Sequence, residues 1–192
     1  MLPMSRGAGT DAPEGERGPN FNDQSIIKSP DGRFLLQSAC AKKQDATPCA
    51  ISVTDTKSSK QWHIYDFDKE LSWNGGLSIL WSPGSRAVIF NETVGTSLSE
   101  SHLFILLPKF EQIDLSEKAS KAHPADPRDV DGHIYSFAAR WLDDNRILFK
   151  VTGHQDTWPV TGFSYRYVYD LRTGAMVFKK HLEHCDQKNE WC

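Results

Sequence analysis

A tight turn flanked by two short apolar runs occurs three times in this chain, and it constrains the fold more than any other feature. The cleanest copy is Trp81-Ser82-Pro83-Gly84-Ser85-Arg86-Ala87-Val88-Ile89-Phe90. An earlier copy reads Ile26-Ile27-Lys28-Ser29-Pro30-Asp31-Gly32-Arg33-Phe34-Leu35-Leu36, and a later one Trp141-Leu142-Asp143-Asp144-Asn145-Arg146-Ile147-Leu148-Phe149. Proline presets φ for the turn and glycine accepts positive φ, so each copy predicts two antiparallel strands joined by a short connection. Recurrence at matched positions predicts a repeat architecture.

Each copy opens a longer unit. In the first, residues 25–68, the strands are 25–28, 33–40, 50–55 and 60–67; Ala50-Ile51-Ser52-Val53-Thr54-Asp55 alternates apolar and polar residues at the period of a half-buried strand. In the second, residues 76–115, the strands are 76–81, 86–91, 102–107 and 111–115. In the third, residues 133–182, they are 134–141, 146–151, 163–170 and 175–181, the last pair joined by Leu171-Arg172-Thr173-Gly174. Residues 116–132, polar and carrying Pro124 and Pro127, read as a linker. The expected fold is all-β: three four-stranded antiparallel meanders. Trp81, Phe90, Trp141 and Phe149, at equivalent positions of successive units, are expected to pack between them.

Strand, Ser-Pro-Asp-Gly, strand, loop, and a strand ending Tyr-Asp-Leu-x-x-Gly resembles the blade repeat of TolB-like and WD-repeat-like β-propellers, carried here by residues 28–32, 81–84 and 169–174. The second unit departs from it with Gly-Ser in place of Asp-Gly, and the third has Leu-Asp-Asp-Asn and no proline. The resemblance implies an incomplete or irregular β-propeller spanning residues 25–184 and a habit of binding partners; it implies no catalytic residue. Closed propellers have about 4 to 8 blades, so three leave open sheet edges, which invite a partner strand or a second copy of the chain.

Charge and composition exclude several classes. A formal net charge of -3 and a pI near 6.1 provide no broad basic surface for nucleic acid or anionic membrane. No apolar run approaches the roughly 20 residues that span a bilayer. Residues 1–24 lack the apolar stretch of a signal peptide and read as a disordered leader, and residues 185–192 as a tail. Cys40 and Cys49 fall where a hairpin would bring them together, and Cys185 and Cys192 bracket the tail; two such disulfides point to an oxidising, extracytoplasmic compartment such as the periplasm. Four reduced thiols in a cytosolic protein are the alternative.

The longest excursions of units two and three fall at the same point, between their second and third strands: 92–101 and 152–162. Both are polar, and the first is rich in hydroxyls. Gathered on one face, they make Thr93, Gly95, Thr96, Ser97, Leu98, Ser99, Glu100, Ser101, His154, Gln155, Asp156 and Trp158 the expected partner-binding set. Ser97 or Ser99 with His102 or His154 and Asp156 offers the residue types of a hydrolytic triad, but no Gly-x-Ser-x-Gly elbow surrounds them. His181, His184, Cys185, Asp186 and Cys192 are of zinc-ligand type without the usual paired spacing. Residues 126–132 fail as a calcium loop because Pro127 stands where the first carboxylate belongs. Asn91-Glu92-Thr93 is a glycosylation sequon.

These features predict a protein without metal or cofactor that binds another protein, an immunity or inhibitor protein that covers a secreted enzyme's active site. A hydrolase or metal-dependent enzyme using the same loops, and a scaffold or sensor module, are the alternatives.

Overall fold

The computed structural model describes residues 26–40, 48–68, 72–94, 98–122, 132–155 and 162–182. The turns that define the repeat are closed by one side chain each. Ser29 donates its backbone N–H to the Phe34 carbonyl at 2.9 Å and accepts the Phe34 N–H on Oγ at 3.0 Å. Ser82 does the same with Ala87, at 2.9 and 3.1 Å. In the third turn Asp143 replaces the serine, its Oδ1 accepting the N–H groups of Asn145 and Arg146, both at 2.9 Å. Glycine takes positive φ in the first turn, Gly32 at 71°; in the second that conformation falls on Ser85, at 57°. Ser85 is buried, and its Oγ accepts the Asp31 N–H at 3.0 Å, a bond that offsets the strain of a non-glycine residue there. The second turn touches the third as well, through the Gly84 N–H donated to Asp144.

Strands β1 (Ile26–Lys28), β2 (Phe34–Cys40), β3 (Pro48–Asp55) and β4 (Lys60–Asp68) form one antiparallel sheet in chain order. Cys40 and Cys49 are directly paired across β2 and β3 and joined by a disulfide. The remaining strands are β5 (Ser72–Trp81), β6 (Ala87–Val94), β7 (Leu98–Ile105), β8 (Glu111–Asp114), β9 (Gly132–Asp143), β10 (Arg146–Gln155), β11 (Gly162–Asp170) and β12 (Ala175–Leu182), with helix α1 (Leu115–Ala122) between β8 and β9.

The all-β expectation holds, but only the first unit forms a sheet of its own. The strands of units two and three make one eight-stranded sheet, ordered β12-β11-β10-β9-β7-β6-β5, with β8 also on β7. The cause is a length mismatch. Short β8 covers only His102 to Ile105 of β7, so Leu98 and Ser99 are left to pair in parallel with Ile134 and Tyr135 of β9. The expected linker is corrected too: its first part is helical. Asp114 Oδ1 accepts the Glu117 N–H at 2.8 Å, the N-cap bond, and Leu115 and Ala119, one turn apart, are fully buried.

Two cores result. One lies between the first sheet and β5–β7, with Phe34, Leu36, Ile51 and Val53 facing Leu77, Val88, Phe90 and Phe104. The other is enclosed by the opposite face of β6–β7, helix α1 and β9–β11, with Ile89, Leu103, Leu115, Ile147, Phe149, Tyr165 and Tyr167. β6 is therefore buried on both faces, as its unbroken run Ala87-Val88-Ile89-Phe90 requires. Aromatic residues link successive units as expected. Trp81 stacks on Phe34 of the first unit at 6.3 Å, and Trp141 donates its indole N–H to the Leu80 carbonyl of the second at 3.1 Å. Phe90 and Phe149 lie fully inside the two cores.

Bidentate ion pairs close two strand ends: Arg33 on Asp55, and Arg172 on Asp170 at 2.7 and 3.2 Å. The Arg172 side chain, then its backbone N–H, hold the Asp170 carboxyl down at about 2. The unfolded value is near 3.9. A depressed folded-state value stabilises the fold above about pH 4, and that contribution is lost as pH falls toward 2. Asp170→Asn is expected to lower the melting temperature at neutral pH and to shrink its fall between about pH 4 and pH 2. An acid limb as steep as that of the parent protein would contradict the assignment.

Candidate functional site

The two excursions expected as loops are mostly strand. β6 runs to Val94 and β7 starts at Leu98, with Thr93 paired to Ser99 and Glu92 to Glu100; β10 runs to Gln155, which pairs with Gly132, and β11 starts at Gly162. The hairpin ends nevertheless meet. Leu98 pairs with Ile134, and Ile134 pairs with Gly153, so β6–β7 and β10–β11 end side by side with only β9 between them. That places them about 10 Å apart, two strand spacings. Gly95, Thr96, Ser97, Asp156 and Trp158 lie outside the described residues, as do Cys185, Cys192, the leader, the tail and the side chain of Gln155.

The hydroxyl-rich stretch is not a solvated surface. Ser99 and Ser101 are buried, at 6 % and 0 % exposure, because β7 changes partners there and leaves backbone groups to be satisfied. Between the end of β8 and the start of β9, the Ser101 N–H finds Ser116 Oγ at 2.9 Å. Ser99 Oγ donates to the Ser136 carbonyl at 3.1 Å. Asn91 Nδ2 donates to the Ala138 carbonyl at 2.9 Å while its Oδ1 accepts the Ala138 N–H at 3.0 Å and the Ser101 hydroxyl at 2.5 Å. These side chains stand in for a strand along β9. The sequon at Asn91 is accordingly closed in the folded chain, its amide nitrogen being held by Ala138 and Ser78.

Among the described residues at the end of β6–β7, Leu98 is 42 % exposed and Thr93 and Glu100 are partly so. At the end of the other hairpin, across β9, His154 stacks on its cross-strand partner His133, ring centroids 4.7 Å apart and 11° from parallel, and His133 Nδ1 lies 3.0 Å from the Tyr135 hydroxyl. Gly153 permits the close approach of β9 and of Phe163, since a Cβ there would clash with the His133 carbonyl oxygen and meet the Phe163 ring at 2.6 Å. The triad residue types are not assembled around Ser99: its hydroxyl is committed to Ser136, and His102 lies on the opposite face of β7. Among the described residues no group of three or more His, Cys, Asp or Glu side chains is placed to hold a metal ion. The zinc-type residues His184, Cys185, Asp186 and Cys192, and most of the segment weighed as a calcium loop, lie outside the described residues.

The other face of the β6–β7 hairpin carries a polar group that motif reading does not find. Tyr65, reaching over from β4, donates its hydroxyl to Glu92 Oε2 at 2.6 Å, and its ring lies 5.0 Å from that of His102. Burial, the bond to Glu92, and the charges of Glu92, Glu100 and Asp114 push the Tyr65 hydroxyl far above its ordinary value. A signal for this group exists in the pattern: Glu92, Glu100 and His102 are in phase with Phe90 and Phe104, on the stripe that faces the first sheet. Among the described residues no helix is long and apolar enough to cross a membrane. Compared with known proteins, the chain matches no family model and no curated protein.

Proposed function

We propose that this is a non-catalytic protein-binding protein of the bacterial envelope, an immunity or inhibitor protein that covers the active site of a secreted enzyme with the end of its large sheet. In this reading the three meanders are blade-like units of an open, irregular propeller, and the turn-to-turn contacts through Asp31, Ser85, Gly84 and Asp144 and the Trp81 and Trp141 contacts support a repeated packing. The observation that carries the proposal is the convergence of two hairpin ends on either side of β9, with Leu98 exposed at one and the His133–His154 stack at the other. Apolar and aromatic side chains gathered at one end of a sheet supply the kind of surface on which interface anchors form. The Cys40–Cys49 disulfide fits an oxidising compartment.

The residues to test are Leu98, which is exposed, and His154, whose ring is stacked on His133 at the second hairpin end. Leu98→Arg and His154→Ala are each expected to weaken binding to the partner at least tenfold while leaving the melting temperature within a few degrees of the parent. The measurement is titration calorimetry with a secreted enzyme recovered by affinity capture and shown to be inhibited by the parent protein. Inhibition retained in full by both variants would remove this end of the sheet as the binding surface.

A further inference from the structure

The strands of the third unit turn one face to the second core and the other away from it. Phe149, Tyr165 and Tyr167 belong to that core, so Lys150 and Arg166, their neighbours in the chain and direct partners across β10 and β11, lie on the outer face. Arg140 of β9 joins them there: it pairs with Leu148, two residues from Lys150 on the same face, and long side chains reach across such a diagonal. Three cations thus share one patch of a chain whose formal net charge is -3.

The fold neutralises none of them. Arg33, Arg146 and Arg172, at strand ends, each hold an aspartate. Among the described residues no hydrogen bond or ion pair engages Arg140, Lys150 or Arg166, and Arg166 Nε is closed to solvent without a partner. Burial, then the charges of Arg166 and Arg140, hold the Lys150 ammonium below its ordinary value, with no carboxylate among the described residues to offset them. Like charges placed directly opposite one another destabilise a ladder, so this patch costs the folded chain stability that a bound anion would return.

The surroundings indicate the kind of anion. Arg140 is exposed and Lys150 partly so, and the same face carries Phe137 opposite Lys150 and Leu148 between Arg140 and Val168. Further along the same two strands, and in phase with Phe137 and Lys150, stand His133 and His154. Cations set among apolar side chains on a strand face suit a segment of protein, whose carboxylates take charge-assisted hydrogen bonds while its apolar groups pack beside them.

We propose that Arg140 and Lys150, with the charge of Arg166 beside them, bind a carboxylate of an acidic segment of the protein partner. This rests on the reading of the chain as a protein-binding protein and adds to it the charge of the surface that is recognised.

The test titrates hexaglutamate into the full chain at low ionic strength, with hexaglutamine as the uncharged control and inorganic phosphate as a free anion, followed by NMR of the Arg140, Lys150 and Arg166 side chains. Saturating shifts at these residues are expected with hexaglutamate and not with hexaglutamine, and added salt is expected to weaken them. Lys150→Met, which keeps an unbranched stem without its charge, and Arg140→Gln are each expected to weaken hexaglutamate at least fivefold with the melting temperature unchanged or raised. Lys109→Gln, an exposed cation between β7 and β8, is expected to leave binding unchanged. Equal binding of hexaglutamine, no shift with hexaglutamate, or an equal loss in Lys109→Gln would each overturn the proposal. Phosphate binding as tightly as hexaglutamate at the same residues would make this a site for small anions and overturn the acidic segment as its occupant. The two readings fail separately. If Leu98→Arg and His154→Ala lose the captured enzyme in a protein that does not bind hexaglutamate, the sheet end stands and the cation patch fails; if hexaglutamate binds at the three cations but no secreted enzyme is inhibited, the patch stands and the inhibitor reading fails.

Discussion

Asn91→Ala is expected to destabilise the protein by about 2 kcal/mol, since it strips the Ala138 carbonyl of its donor and leaves the Ala138 N–H and the Ser101 hydroxyl only their second partners, Ser101 Oγ and the Ser136 carbonyl. The Asn91 amide bonds both backbone groups of Ala138, 47 positions away, and the Ser101 hydroxyl. Alanine removes the amide and supplies nothing for the Ala138 carbonyl. Urea unfolding monitored by tryptophan fluorescence measures the loss, and Asn91→Asp serves as a partial rescue, since a carboxylate can still accept the Ala138 N–H but cannot donate to its carbonyl. A loss under about 1 kcal/mol for the alanine variant would mean that water replaces the amide and that the side chain does not hold β9 in place.

The second large effect belongs to the disulfide. The Cys40–Cys49 bridge has a sequence separation of 9, and in the chain-entropy model closing so short a loop is worth about 2 to 3 kcal/mol. Replacing both cysteines with alanine is expected to cost that amount, with an additional cavity contribution because Cys49 is 1 % exposed in the first core. The measurement is urea unfolding of the double variant beside the oxidised and the reduced parent. Reduction alone isolates the cross-link from the packing, because both sulfurs remain. If reduced and oxidised protein unfold at the same urea concentration, the bridge contributes nothing to stability and its value as an indicator of an oxidising compartment falls with it.

Much of the fold is legible in the sequence because its signals are local. Ser29, Ser82 and Asp143 close their turns by bonding backbone groups only two to five residues away, so the turn chemistry can be read where it stands. The alternation in β3 and the unbroken apolar run in β6 likewise announce one buried face and two. Helix α1 is missed by periodicity because only Leu115 and Ala119 of its eight residues are buried, although Asp114-Leu115-Ser116-Glu117 carries the capping spacing.

The site was half legible. That the hairpin ends of units two and three share one end of the molecule follows from the register of the repeat. That Ser99 and Ser101 point inward does not, for a serine hydroxyl is as compatible with water as with a buried carbonyl, and its fate depends on whether a backbone group lies within reach.

The chain by itself therefore determines its turns and most of its strands and places Cys40 and Cys49 where a bridge can form, since each depends on neighbours a few residues away. Only the tertiary structure decides that β7 exchanges β8 for β9, that Asn91 and two serines become surrogates for a missing strand, and that Tyr65 arrives over Glu92 and His102. Those outcomes depend on which distant backbone groups are left unpaired once the cores have packed, and that is a property of the whole arrangement of strands.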